Sequence, residues 1–203
     1  MRAVPVERLV LFVKAPRIGT VKTRLGRSIG SEKACEAYRI LVERVLQNVS
    51  SIPAVELRFT PDDAGAEVDG WQRDGWTRTA QGEGDLGARL QRAFHDGFAA
   101  GAERVVIIGS DCPETRAADV RRAWKELQTH DVVVGPATDG GYWLIGLRAP
   151  QPQLFEGIAW SSDQVLAQTL QRARQLGLRI QLLRILSDVD TAEDWRAFQR
   201  SGG

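Results

Sequence analysis

Residues Arg104 to Pro113 read R-V-V-I-I-G-S-D-C-P. Val105 to Ile108 is an unbroken apolar run that stops at a glycine and an acid, the pattern of a strand buried on both faces. Leu9 to Val13, L-V-L-F-V, is a second such run and stops at Lys14. Strands of this kind need helices above and below them, and the segments between supply these. Glu32 to Val49 sets Ala34, Tyr38, Leu41, Val45 and Val49 on one face at spacings of three and four, with Ser31 as N-cap. Leu86 to Ala100 does the same with Leu86, Leu90, Phe94 and Phe98, and Ala117 to Thr129 with Val120, Trp124 and Leu127. Ser162 to Leu176 is a further helix. Thr191 to Arg200 closes the chain, with Thr191 and Asp194 spaced as a capping box.

Ala54 to Thr60, Trp76 to Ala80, Asp131 to Gly135, Tyr142 to Leu147 and Leu178 to Leu186 complete the expected strands. Lys14 to Gly30 reads as a loop, and Pro61 to Gly75 as a loop or short helix. Strand and helix alternate almost throughout, which predicts an α/β protein: a mostly parallel sheet between two helical layers. Ligands of such sheets bind at the carboxyl ends of the strands, so the loops there are where chemistry should sit.

A chain of 203 residues suffices for one sizeable core and is short for two, so 1–203 is expected to be a single domain. A net charge of +1 supplies no global field for nucleic acid or a membrane surface. The first apolar run is too short and too quickly charged for a signal peptide. No stretch approaches the ~20 apolar residues of a membrane span. Cys35 and Cys112 make no disulfide framework, so a soluble cytoplasmic protein is expected. Its state of self-association is open.

Four loops carry the candidate chemistry. The first, K-A-P-R-I-G-T-V-K-T-R-L from Lys14 to Leu25, gathers Lys14, Arg17, Lys22, Thr23 and Arg24 around Gly19. Cationic donors on a backbone that can approach closely suit phosphate. It is not a Walker A loop, because Val21 and Pro16 stand where glycines are needed. The second ends the Arg104 strand and presents Asp111, either a turn residue before Pro113 or a ligand for a hard cation. The third is G-P-A-T-D-G-G-Y-W-L-I-G, Gly135 to Gly146. Asp139-Gly140-Gly141-Tyr142 makes a hairpin turn by itself, and also offers Asp139 as a ligand or base beside two glycines that let a substrate approach. The fourth, S-D-V-D-T-A-E-D from Ser187 to Asp194, sets Asp188 and Asp190 two apart, on one side of an extended segment. Helix capping explains Thr191, Glu193 and Asp194 better than it explains that pair.

Gly82 to Gly87 matches G-x-G-x-x-G, but Glu83 and Asp85 would repel a pyrophosphate, and the preceding strand is short and contains Arg78. Asp85 and Arg89 facing a substrate, or a plain start of a helix, are the readings left. His95 and His130 have no nucleophile placed beside them. Cys112 reads as packing. Trp143 and the Trp160-Ser161-Ser162 stretch read as core or as the walls of a sugar-sized cavity.

Taken in order, F-V-K-A-P-R-I-G-T-V-K-T-R-L, G-D-L-G-A-R, I-G-S-D-C-P, G-P-A-T-D-G-G-Y-W-L-I-G-L and D-V-D-T-A-E-D resemble the motifs of the bacterial DUF2064 family. That family is placed in the GT-A glycosyltransferase (nucleotide-diphospho-sugar transferase) superfamily, and some members carry the name of arsenosugar-biosynthesis glycosyltransferases. The resemblance runs from about Leu9 to Trp195. The K-T-R-L loop and the D-V-D-T segment also resemble phospholactate guanylyltransferases and molybdenum-cofactor-type nucleotidyltransferases.

The resemblance implies a three-layer, Rossmann-like GT-A fold. It implies a nucleotide cradle of Lys14, Arg17, Gly19, Lys22, Thr23 and Arg24, and Mg²⁺ or Mn²⁺ on Asp111, Asp188 and Asp190. GT-A enzymes often carry Asp-x-Asp where this chain has Asp111-Cys112-Pro113, so the second metal ligand is expected from Asp188 and Asp190. The expected activity is transfer of a sugar from a nucleoside-diphosphate sugar to a small molecule, with Lys22 and Asp139 in the chemistry. Asp85, Arg89, Gly140, Gly141, Tyr142 and Trp160 are expected around the substrate. The alternatives are nucleotidyl transfer from a nucleoside triphosphate to a phosphorylated acceptor, and nucleotide binding without catalysis.

Overall fold

The computed structural model describes residues 6–202. The apolar runs become a seven-stranded sheet: β1 (Glu7–Lys14), β2 (Val55–Thr60), β3 (Thr77–Ala80), β4 (Arg104–Ile108), β5 (Val132–Pro136), β6 (Tyr142–Leu147) and β7 (Ile180–Leu182). Their order across the sheet is β3-β2-β1-β4-β6-β5-β7. β6 alone runs against its neighbours β4 and β5, because a short turn joins it to β5. The other pairings are parallel.

The helices are α1 (Thr23–Ile29), α2 (Ser31–Val49), α3 (Leu86–Ala99), α4 (Ala117–Glu126), α5 (Val165–Gln175) and α6 (Ala192–Arg200). Residues alternate faces along a strand, and β1 shows the consequence. Leu9, Leu11 and Val13 pack with Val42, Val45 and Leu46 of α2 and with Val120 and Trp124 of α4. Val10 packs on the opposite face with Leu90, Ala93 and Phe94 of α3 and Ala173 of α5. These are the two helical layers. A smaller cluster of Leu25, Ala34 and Ala37, with Ile29, Ala192 and Trp195, joins α1, α2 and α6. No helix among the described residues is long and apolar enough to cross a membrane.

Several expected boundaries are corrected. The Lys14–Gly30 loop contains α1, which buries only Leu25 and so has no periodic apolar face to betray it. Gly30, at φ +92°, ends α1 and starts α2, so Ser31 is the first helical residue rather than the cap. The expected long last strand shrinks to Ile180–Leu182, followed by one bridge from Leu186 to Ala137. α5 starts at Val165 because Ser162 closes a turn, its Oγ donating to Ala159 O (2.7 Å). A 3-10 turn at Pro152–Phe155, silent in the sequence, buries Leu154 and Phe155.

The sheet face under α3 holds an ionic network. Arg58 of β2 is 1% exposed; its Nε donates to Glu56 (2.7 Å) and its Nη2 to Asp96 of α3 (2.6 Å). Arg8 of β1 reaches the other Glu56 oxygen at 3.3 Å. Removing one partner of a buried pair strands a charge, whereas replacing both with apolar groups does not. Glu56→Ala is therefore expected to lower the unfolding free energy by ~3–5 kcal/mol. Glu56→Leu combined with Arg58→Met should recover most of that loss in the same urea titration. A Glu56→Ala loss below about 1 kcal/mol would contradict this account of the network.

Candidate active site

β1 leads the chain outward to β2 and β3, and β4 lies on its other side. The crevice outside the carboxyl ends of β1 and β4 is thus a topological switch point, where open α/β sheets bind ligands. A cavity of about 630 Å³ lies there, lined by Lys14, Lys22, Thr23, Arg24, Asp111 and Asp190, with Phe12, Leu90, Ile107 and Ile145 as its apolar floor. A second cavity of about 720 Å³ adjoins it, sharing Arg24, Leu86, Asp111, Tyr142, Ser161 and Asp190. It adds Cys112, Asp139, Gly141, Asp163 and Asp188. Both have the size of small-molecule sites.

Lys22 is the centre of the arrangement. Its backbone adopts φ +46°, ψ +46°, a left-handed conformation costing roughly 1–2 kcal/mol for a residue with a Cβ. Its side chain is 3% exposed, with Nζ 2.5 Å from Asp111 Oδ1 and 2.9 Å from Asp190 Oδ1. Burial works against the ammonium, and the two carboxylates more than offset it, so its pKa lies above the usual lysine value. Arg24 Nη1 stands 3.7 Å from the other Asp190 oxygen. The backbone ties the same segments together, Val189 N–H donating to Asp111 O (3.1 Å).

Beneath the crevice, the buried Tyr38 Oη accepts from Lys14 N–H (2.7 Å) and lies 3.2 Å from Ser110 Oγ. A single α2 side chain thus fixes the ends of β1 and β4. Gln81, also buried, donates to Val13 O and Arg58 O at 3.0 Å each and so ties β1 to β2.

The second cavity is acidic. Burial, then the nearby carboxylates of Asp139 and Asp190, push the Asp188 pKa up to about 6. Burial and the Asp188 and Asp111 carboxylates keep the Cys112 thiol protonated, which agrees with a packing role. Asp139 Oδ1 accepts from Gly141 N–H (2.8 Å), so its carboxylate shapes its own turn. Gly140 is at φ +88°, and a Cβ there would collide with the Asp163 carbonyl. Leu166 N–H donates to Gly140 O (2.9 Å), which interlocks the turn with the first turn of α5.

Most of the other expected site residues sit elsewhere. Arg17 pairs with Glu67 (2.6 Å) and Asp63 (3.0 Å), and neither it nor Gly19 lines the cavities. Asp85 caps α3 by accepting from Ala88 N–H (2.9 Å). Arg89 donates to Gly84 O (3.0 Å) and Thr60 Oγ1 (3.1 Å). The Trp160 indole covers Gly87 so closely that a Cβ there would come within 2.7 Å of Nε1. Tyr142 lines both cavities, but its hydroxyl is buried. Trp143 is 3% exposed and donates from Nε1 to Arg184 O (3.2 Å). The sequence reads Tyr38 only as a core residue and gives Ser110 and Gln81 no role in the site, whereas Ser161 belongs to the stretch expected to line a cavity. Ser161 lines both cavities at φ +64°.

Among the described residues no three His, Cys, Asp or Glu side chains gather in a metal-holding group. Asp111 and Asp190 do converge, on Lys22, with Asp188 bordering the same second cavity. An all-oxygen set of one or two carboxylates suits Mg²⁺ or Mn²⁺ that keeps waters and takes phosphate oxygens. The residues therefore fit a metal brought in with a nucleotide better than a metal held by protein alone.

The DUF2064 family, described as "Uncharacterized protein conserved in bacteria", matches residues 44–162. The chain is 37% identical over 116 residues to a 3-phospho-D-glycerate guanylyltransferase of Phenylobacterium zucineum (strain HLK1), covering 53% of this chain and 51% of that one. It is 33% identical over 117 residues to a 2-phospho-L-lactate guanylyltransferase of Methanothermobacter thermautotrophicus, covering 56% and 50%. The chain spans about half the length of the curated relatives it matches. A crystal structure from Desulfovibrio desulfuricans G20, provisionally named a nucleotide-diphospho-sugar transferase, superposes with a TM-score of 0.90 at 35% identity, over 98% of this chain and 88% of that one. Rv0371C of Mycobacterium tuberculosis H37Rv, solved with manganese, shares the fold at a TM-score of 0.57 and 17% identity, over 98% and 100%.

Tyr38→Phe removes the acceptor of the part-buried Lys14 amide. The variant is expected to lose about 1–3 kcal/mol of stability. The Lys14 amide should then exchange with deuterium far faster than in the parent. Unchanged exchange at Lys14 would show that Tyr38 does not hold the crevice.

Proposed function

The chain belongs to the DUF2064 family, and we propose that within it this protein is a single-domain, cytoplasmic, metal-dependent nucleotidyltransferase. It would use a nucleoside triphosphate and a phosphorylated small molecule. One observation carries the reading: a buried lysine meets two carboxylates at the switch point of the sheet, beside cationic side chains and an open cavity. The guanylyltransferase names of the curated relatives support the direction of transfer.

In this reading the triphosphate lies along Lys14, Lys22, Thr23 and Arg24, and the base over the apolar floor. Arg17 and Gly19 shape the loop rather than touch the donor. Asp111 and Asp190, with Asp188 beside them, would hold Mg²⁺ or Mn²⁺, which when bound supplies Lewis-acid charge to the phosphate oxygens. An oxygen of the acceptor phosphate attacks the α-phosphorus. The bond from the α-phosphorus to the bridging oxygen breaks, and pyrophosphate leaves with its electron pair. Lys22 and Arg24 stabilise the charge that develops there. The acceptor is already an anion and needs no base, which agrees with Asp139 serving its own turn.

Sugar transfer stands as a second reading, favoured by the acidity of the second cavity. Five aspartates and a single cation, Arg24, line it, which suits a hydroxyl acceptor better than a phosphate. The provisional name of the Desulfovibrio relative points the same way. There Asp139 would deprotonate the acceptor.

The two are separated by what is released. Nucleoside triphosphates with 3-phosphoglycerate or 2-phospholactate, and nucleoside-diphosphate sugars with polyols, are incubated with Mg²⁺ or Mn²⁺ and followed by phosphorus NMR. Pyrophosphate from a triphosphate is expected, and Asp111→Asn should slow it by roughly 10²-fold or more. Release of nucleoside diphosphate from a sugar donor alone, sensitive to Asp139→Asn, would overturn nucleotidyl transfer.

A further inference from the structure

The Lys22 ammonium stands where a divalent cation held by Asp111 and Asp190 would stand. Both carboxylates reach Nζ through an Oδ1 oxygen, at 2.5 and 2.9 Å. The lysine is 3% exposed, while the aspartates remain 52% and 33% exposed. The acids thus open onto the crevice, and the lysine fills the space between them from below. Besides these two, the charged groups near that point include Arg24, which adds positive charge at Asp190, and the Asp188 and Asp194 carboxylates, both of which feel the Lys22 charge.

We propose that Lys22 and the divalent metal share one cation position, so that metal binds there only when nucleotide phosphates draw the ammonium away. The inference rests on the metal-binding role given above to Asp111 and Asp190. Two carboxylates balance one ammonium with one negative charge to spare. A dication added a few ångströms from that ammonium meets direct repulsion, and the Oδ1 oxygen of each aspartate is already taken by the lysine. A triphosphate changes the balance, since its oxygens accept from the ammonium and complete the metal's shell. The Lys22 backbone is left-handed at the start of α1, a strained conformation that persists only while its surroundings enforce it. The metal and donor would then enter as one complex, and the resting protein would hold no tight metal.

The test measures Mn²⁺ binding to nucleotide-free protein by electron paramagnetic resonance, for the wild type, Lys22→Met and Lys22→Asn. Asparagine tolerates the left-handed backbone and guards against a variant that fails to fold, and thermal melting checks both. The wild type is expected to bind Mn²⁺ weakly, and both folded variants at least tenfold more tightly. Adding Asp111→Asn to Lys22→Met should abolish the gain. Variants that bind Mn²⁺ no better than wild type would overturn the shared position. If Asp111→Asn still weakens binding in the wild type, the metal role of Asp111 survives that failure. A gain that persists without Asp111 would instead place the metal elsewhere and overturn both.

Discussion

A buried ammonium must be paired, and here the pairing organises the whole crevice. Lys22 comes from the loop after β1, Asp111 from the loop after β4, and Asp190 from the segment before α6. Segments far apart in the chain meet because one desolvated charge requires two carboxylates. The left-handed backbone of Lys22 is the local cost of bringing that charge to them.

The rest of the sheet makes this meeting point rigid. Tyr38 and Gln81 hold the ends of β1, β2 and β4 through buried hydrogen bonds, so the cations and acids face each other across a fixed gap. On the far side the antiparallel β6 returns Tyr142 and Trp143 to the same rim, and the Gly140–Asp163 interlock closes the second cavity. Lys14, Lys22 and Arg24 bring positive charge to the first cavity, and five aspartates bring negative charge to the second. A metal carried by the phosphates would reconcile the two halves.

Much of the fold was legible because buried strands write themselves as apolar runs and helices as three- and four-residue spacings. β1, β4, α2 and α3 are plain in that language. α1 was not, since its one buried leucine makes no period, and β7 was over-read because its apolar residues continue past the sheet edge. At the site, the loops after β1 and β4 could be named from composition and position. The partners could not. Nothing in K-T-R-L says that Lys22 turns inward to two aspartates, or that Arg17 turns away to Asp63 and Glu67. Asp85 and Arg89 looked like ligands, yet one caps a helix and the other binds a loop carbonyl. Such choices depend on long-range geometry that residue type does not encode.

The most direct test of the central claim is a crystal structure with a non-hydrolysable guanosine triphosphate analogue and Mn²⁺, the metal placed by its anomalous signal. The account predicts Mn²⁺ between Asp111 and Asp190, the phosphates against Lys22 and Arg24, and Lys22 Nζ moved from carboxylate to phosphate. A nucleotide seated away from the β1–β4 crevice, or Mn²⁺ bound apart from both aspartates, would contradict it.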